Sequence, residues 1–201
     1  MGFLSILSCA HKWIEERVRP GDTVVDATVG NGVDTLFLAR LVGRVGRVYG
    51  FDIQPQALDT ARTRLERELD GSGGAQRVSL LLRSHADMAD AVPDDCLGRT
   101  AAVMFNLGYL PGADPGVITV PASTLPALEA ALLLLREGGI LTIALYPGHD
   151  GGASEAQAVE SWAAALPQEM WSVLCYRFIN SAARSPYLIG IEKKKPRGVL
   201  K

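Results

Sequence analysis

The sequence is poor in cysteine and histidine and carries no excess of either charge. Its three cysteines, Cys9, Cys96 and Cys175, are far apart and odd in number. That excludes a disulfide framework and a cysteine-based metal site, and it fits a reducing compartment. The three histidines, His11, His85 and His149, are scattered as well, so no metal-ligand spacing arises and no metal is expected. Lys and Arg number 20 against 22 Asp and Glu, for a net charge of −2. No overall basic field advertises nucleic acid, although a local patch stays compatible with RNA. Long hydrophobic runs are also missing. The longest, Ala130 to Leu135, falls far short of the roughly 20 residues of a membrane span. The apolar start, Met1 to Ala10, has no basic n-region and stops at His11-Lys12, so it reads as a helix packing on the domain rather than a signal. Gly2 lacks the Ser or Thr at position 6 that myristoylation needs, since Ile6 stands there. Ile6-Leu7-Ser8-Cys9 only loosely resembles a lipoprotein site. The expectation is a cytoplasmic protein with no membrane partner.

What is present is apolar matter: 48% of the 201 residues are hydrophobic and 21% are charged. That suffices for the core of one ordinary domain and argues against disorder or a coiled coil. Ser5 to Arg19 reads as an amphipathic helix stopped by Pro20-Gly21. Short β-branched or apolar strands are expected at Thr23–Ala27, Gly46–Phe51, Val78–Leu82, Thr100–Phe105 and Ile140–Leu145. Helices are expected between them at Asp34–Leu41, Pro55–Leu69 and Ser123–Leu135. Ser123 serves as the cap of the third, and Gly138-Gly139 as its terminator. Asp70-Gly71-Ser72-Gly73-Gly74 breaks the second. A last helix, Ala153–Leu166, precedes two strands, Trp171–Phe178 and Tyr187–Ile191, with no helical pattern between them. The pattern predicts a doubly wound, mostly parallel seven-stranded α/β sheet in one domain over residues 1–201, ending in an antiparallel hairpin. Residues 1–20 form its N-terminal helix and 193–201 a basic tail.

In open α/β sheets ligands bind at the carboxyl ends of strands, near the point where strand order reverses. Four strand ends carry candidate residues. After the first strand runs Asp26-Ala27-Thr28-Val29-Gly30-Asn31-Gly32-Val33-Asp34-Thr35. Gly30 and Gly32 allow a tight turn and a close ligand. The dinucleotide fingerprint would need glycine at position 35, so Thr35 disfavours a nicotinamide or flavin site. Asp26 would repel a pyrophosphate and suits a cationic ligand such as S-adenosylmethionine. We assign Asp26, Thr28, Gly30, Asn31, Gly32, Asp34 and Thr35 to that ligand, with Asp26 and Asn31 at its methionine end. Asp52 ends the second strand, where a carboxylate can accept both ribose hydroxyls, with Ile53 and Gln54 flanking the adenine. After the third strand, Ser84 or Asp87 can meet the adenine amine, and His85 can stack or donate. After the fourth comes Asn106-Leu107-Gly108-Tyr109-Leu110-Pro111-Gly112. The Asn106 oxygen can accept an amine hydrogen and orient the attacking nitrogen, and the Tyr109 ring can stack on a base. This arrangement resembles the Asn-Pro-Pro-Tyr loop of amino-group methyltransferases.

Three segments together carry a wider resemblance: Asp26 to Thr35, Phe51-Asp52-Ile53-Gln54, and Phe105 to Gly112. Ser123-Thr124, Tyr146-Pro147-Gly148-His149, Phe178-Ile179-Asn180 and Ile191-Glu192-Lys193 extend it over about His11 to Lys195. On these residues the chain resembles the small bacterial rRNA methylase family of class I S-adenosylmethionine-dependent methyltransferases, which implies a Rossmann-like fold. The characterised members N-methylate 5-aminomethyl-2-thiouridine at the tRNA wobble position. The resemblance implies that activity here, with Asn106 and Tyr109 catalytic and His149 an auxiliary proton acceptor. Departures fall mostly on the substrate side. Pro147 replaces a family His, Ala86 interrupts Ser-His-Asp, and Ser185-Pro186 replaces Pro-Pro. The alternatives are an rRNA or small-molecule amine acceptor, or a cofactor- and RNA-binding protein without catalysis. Lys193, Lys194, Lys195, Arg197, Arg177 and Arg184 are candidate phosphate contacts. No motif sets an oligomeric state, and a homodimer is the working expectation.

Overall fold

The computed structural model describes residues 2–69, 77–108, 118–181 and 184–195. Among them, strands β1 (Thr23–Asp26), β2 (Arg47–Asp52), β3 (Val78–Leu82), β4 (Thr100–Leu107), β5 (Leu135–Leu145), β6 (Trp171–Tyr176) and β7 (Tyr187–Lys193) form one sheet in the order β3-β2-β1-β4-β5-β7-β6. The first five run parallel, and β7 and β6 complete the sheet antiparallel. Strand order reverses between β1 and β4, which opens a crevice at their carboxyl ends. The predicted fold is therefore the observed one, including its terminal hairpin.

Helices α1 (Ile6–Glu15), α2 (Val33–Val42), α3 (Pro55–Glu68), α4 (Met88–Ala91), α5 (Pro121–Leu134) and α6 (Gly152–Ala164) cover both faces. Alternation along β4 shows how two cores arise. Val103, Phe105 and Leu107 join Leu128 and Val159 on one face. Ala102 and Met104 join Ile14, Leu38 and Leu65 on the other. Burying a side chain such as Phe105 stabilises the fold by about 1.5–3 kcal/mol. On α1, Trp13 lies on β7 so closely that a Cβ at Gly190 would sit 2.6 Å from its ring. That contact ties the N-terminal helix to the sheet.

Several boundaries differ from expectation. Helix α5 starts at Pro121 after Val120, not after Ser123, whose hydroxyl instead donates to the Val120 carbonyl. Gly138 and Gly139 do not terminate it. The chain turns extended at Leu135, and both glycines lie inside β5, where the pairing with β4 shifts register between Thr100 and Ala102. Close approach explains Gly139, because a Cβ there would lie 2.9 Å from the Arg136 carbonyl. The short α4 has too few residues to show a periodicity. The breaker at 70–74 lies outside the described residues. Among the described residues no helix is long and apolar enough to cross a membrane.

Candidate functional site

A cleft of about 280 Å³ opens at the carboxyl ends of β1, β2, β3 and β4. Of the residues assigned from sequence, Thr28, Gly30, Asn31, Asp34, Asp52, Ile53, Gln54, Ser84, His85 and Asn106 line it. Four strand ends far apart in sequence thus converge on one cavity.

Asp26, Gly32 and Thr35 are not among the residues that line the cleft. They hold the loop from beneath. Asp26 ends a strand buried along its whole length and is itself fully buried. Its carboxylate accepts from the Thr35 hydroxyl at 2.6 Å and from the Thr28 N–H at 3.1 Å. Burial pushes its pKa up to about 7, and the nearby negative charges of Asp34 and Asp52 add to the effect. The hydrogen bonds from Thr35 and Thr28 oppose it. Gly32 has a φ of +74°, and a Cβ there would lie 2.7 Å from the Ala61 Cβ. Its smallness therefore admits α3.

Asp52 is engaged twice by backbone. One oxygen accepts from the Gly30 N–H and the other from the Gln54 N–H, both at 2.9 Å. A carboxylate has about four lone-pair sites, so acceptor capacity remains for ribose hydroxyls. Beside it Ile53 is 58% exposed, an apolar side chain held open at the cleft wall. Ser84 accepts from the Ala86 N–H and caps a short turn. His85 is buried, with Nδ1 at 3.3 Å from the Ala27 carbonyl and its ring 5.6 Å from that of Phe105. A carbonyl can only accept, so Nδ1 carries the hydrogen. Burial holds the His85 pKa below its ordinary value, against the opposing pulls of Ala27 and Asp52, so the ring is neutral near pH 7.

Asn106 is held at two points. Its backbone N–H donates to the Thr28 hydroxyl at 2.7 Å, and its side-chain Nδ2 donates to Asp34 Oδ2 at 2.6 Å. The other Asp34 oxygen lies 2.6 Å from His11 Nε2. With Nδ2 committed to a carboxylate, Asn106 presents Oδ1 elsewhere. Tyr109 lies outside the described residues. His149 is not in the cleft lining but beside it, since a Cβ at Gly108 would sit 3.4 Å from its Nε2. Its Nδ1 donates to the Asp150 carbonyl at 2.9 Å, which leaves the neutral ring's lone pair on Nε2.

Sequence reasoning missed part of the wall. Arg83, Ile118, Thr119 and Ser123 line the cleft, and Thr119 is tethered by Glu155. That carboxylate, 2% exposed, accepts from the Thr119 and Thr124 hydroxyls, each at 2.6 Å. No local signal marks Glu155 in an ordinary amphipathic helix. The basic tail also departs from expectation. Glu192 pairs with Ile140, at the start of the shared β5–β7 register, so the chain leaves β7 at the sheet edge opposite the cleft. Lys193 Nζ donates to the Leu135 carbonyl and Lys194 Nζ to that of Gln168. Arg197 lies outside the described residues. Arg177 and Arg184 flank the cleft edge of the hairpin.

Known proteins share this architecture. The family model described as "Putative rRNA methylase" matches residues 48–192. A tRNA (mnm5s2U34)-methyltransferase of Arabidopsis thaliana chloroplasts is 37% identical over 191 residues, 92% of this chain and 68% of that protein. The structure of an rRNA-methylase from Clostridium thermocellum, at 41% identity, covers 96% of this chain and 100% of its own with a TM-score of 0.88. A Streptococcus mutans methyltransferase in complex with SAH, at 35% identity, covers 96% of this chain and 99% of its own with a TM-score of 0.83. The sheet order, the converging strand ends and these matches lead to one conclusion: the chain belongs to this rRNA methylase family and is a methyltransferase.

Proposed function

We propose that the cleft binds S-adenosylmethionine and that the protein methylates the aminomethyl nitrogen of 5-aminomethyl-2-thiouridine at the tRNA wobble position. The observation that carries the reading is the hydrogen bond from Asn106 Nδ2 to Asp34, which commits the amide and leaves Oδ1 as an acceptor at the end of β4. The donor set fits the cofactor. Asp34 and Asp52 offer carboxylates to a cation and its ribose, and Ile53 offers an apolar face to a base. Bound there, S-adenosylmethionine supplies a methyl group already activated on a sulfonium, so no Lewis acid is needed. Asn31 and Asp34 hold the methionine end, Asp52 the ribose, and Ile53, Gln54, Ser84 and His85 the base.

The remaining work belongs to the acceptor side. An ammonium has no lone pair, and an alkylamine has a reference pKa of about 10.4. A desolvating cleft beside a positive charge lowers that value and favours the free amine. Asn106 Oδ1 then accepts an N–H of the amine and aims the nitrogen at the methyl group. Tyr109 stacks on the base. His149 Nε2, beside Gly108, receives a proton when the amine arrives charged. Arg177 and Arg184 are the candidate phosphate contacts. The chloroplast tRNA methyltransferase supports the tRNA acceptor, and the family's rRNA wording supports the same chemistry on rRNA. A homodimer would bury exposed Leu174 on the edge strand β6 and Ile179 just beyond it, and sedimentation equilibrium tests it.

The deciding assay is methyl transfer to tRNA carrying 5-aminomethyl-2-thiouridine, read by nucleoside mass spectrometry. We expect Asn106→Ala to abolish turnover while cofactor affinity changes little. Full activity of that variant removes the strand-end asparagine from the mechanism. Methylation of rRNA alone moves the acceptor.

A further inference from the structure

We infer that His11, on the N-terminal helix, is a positioning residue for methyl transfer, acting through Asp34 to lock the amide of Asn106. The inference rests on the proposed role of Asn106 in orienting the acceptor amine.

The side chains form a continuous chain. His11 Nε2 lies 2.6 Å from Asp34 Oδ1, and Asn106 Nδ2 lies 2.6 Å from Asp34 Oδ2. Both carboxylate oxygens are therefore engaged, one by each neighbour. A carboxylate only accepts, so His11 must carry a hydrogen on Nε2 and Asn106 must turn its NH2 inward. The opposite amide orientation would press two oxygens together at that distance. Asp34 thus dictates which end of the Asn106 amide is left over, and that end is Oδ1.

What holds Asp34 comes from α1. Its side chain is only 10% exposed and lies in the first turn of α2, where the helix dipole favours negative charge. The dipole holds the charge but does not set the rotation of the carboxylate. His11 does, because its own ring is fixed. It stacks on Phe37 with centroids 3.9 Å apart and planes 6° from parallel. Phe37 sits on α2, one turn after Asp34. The imidazole is clamped between a ring and a carboxylate of the same helix, while α1 itself is anchored to β7 through Trp13. Without His11, one Asp34 oxygen would turn to solvent and the carboxylate could rotate. The Asn106 NH2 would then lose its fixed acceptor, and Oδ1 its fixed aim at the amine. The cost should fall on the reacting geometry more than on cofactor binding, which Asn31 and Asp52 also hold.

The test compares His11→Ala, His11→Gln and Asn106→Ala with the unaltered protein on tRNA carrying 5-aminomethyl-2-thiouridine. We expect His11→Ala to lower kcat at least about tenfold, with the tRNA KM changed less than about twofold and the S-adenosylmethionine Kd changed by a smaller factor than kcat. His11→Gln keeps an N–H donor on a side chain of similar reach and should restore most of kcat. Melting temperatures under assay conditions accompany each variant. Unchanged kcat in His11→Ala beside an inactive Asn106→Ala overturns the inference and leaves the role of Asn106 intact. Equal losses in His11→Ala and His11→Gln, tracking a lowered melting temperature, overturn it in favour of a purely structural helix contact. Full activity of Asn106→Ala would instead remove the reading on which the inference rests.

Discussion

The Asp52 carboxylate accepts a hydrogen bond from the backbone N–H of Gly30 at 2.9 Å, so the ends of β2 and β1 are joined inside the cleft. The residue assigned to the ribose is therefore also a brace for the glycine loop. Asp52→Ala removes both functions. A charge-assisted hydrogen bond contributes about 1.5–3 kcal/mol, so S-adenosylmethionine should bind at least about tenfold more weakly. Isothermal calorimetry measures this, and a melting curve separates it from loop loosening. Undiminished affinity would take Asp52 out of the site.

Asp26 sets a pH dependence. Its pKa is raised from 3.8 to about 7 by burial, with Asp34 and Asp52 adding. Between those values the folded chain holds a proton that the unfolded chain has lost, so stability falls as pH rises through that window. Asp26→Asn, neutral throughout, should gain on the unaltered protein between pH 5 and pH 8 in urea denaturation. A cationic ligand favours the ionised carboxylate. Calorimetry near pH 6.5 in buffers of different ionisation enthalpy should show more proton release with S-adenosylmethionine than with S-adenosylhomocysteine. Asp26→Asn should erase that difference.

Glu155 braces the far wall of the cleft. Removing it orphans the Thr124 hydroxyl, which is fully buried, and frees Thr119 at the lining. Each unsatisfied buried group costs about 1–3 kcal/mol. Glu155→Ala should thus lower unfolding free energy by about 2–4 kcal/mol in urea titration. Glu155→Gln keeps a carbonyl acceptor and should lose less. Equal stability of all three forms would deny the brace.

His149 should matter most when the acceptor arrives protonated. With Nδ1 on the Asp150 carbonyl, its basic nitrogen faces Gly108. His149→Ala should slow methylation several-fold more at pH 6 than at pH 9, where free amine is plentiful. A pH series of single-turnover rates checks it. A loss equal at both ends would assign His149 a packing role.

The order of strands and helices was legible because it is written in local periods: β-branched strands, amphipathic helices and glycine turns between them. Asp52, Asn106 and the glycine loop were legible because each ends a strand, where this architecture exposes side chains to a ligand. Boundaries that rest on pairing were not. The run from Leu135 to Gly139 looks like a helix end, yet it is strand, because Thr100 of β4 pairs with Leu135 and the register then shifts to set Ala102 opposite Ile140. Only the tertiary structure divided the first loop into residues that face the cleft and residues, such as Asp26 and Thr35, that hold it from below. It alone joined His11 to Asp34 across 23 positions and Asp34 to Asn106 across 72. Those contacts have no sequence signature, because a hydrogen bond depends on where α1, α2 and β4 come to rest, and that is decided by the packing of whole faces rather than by any local run of residues.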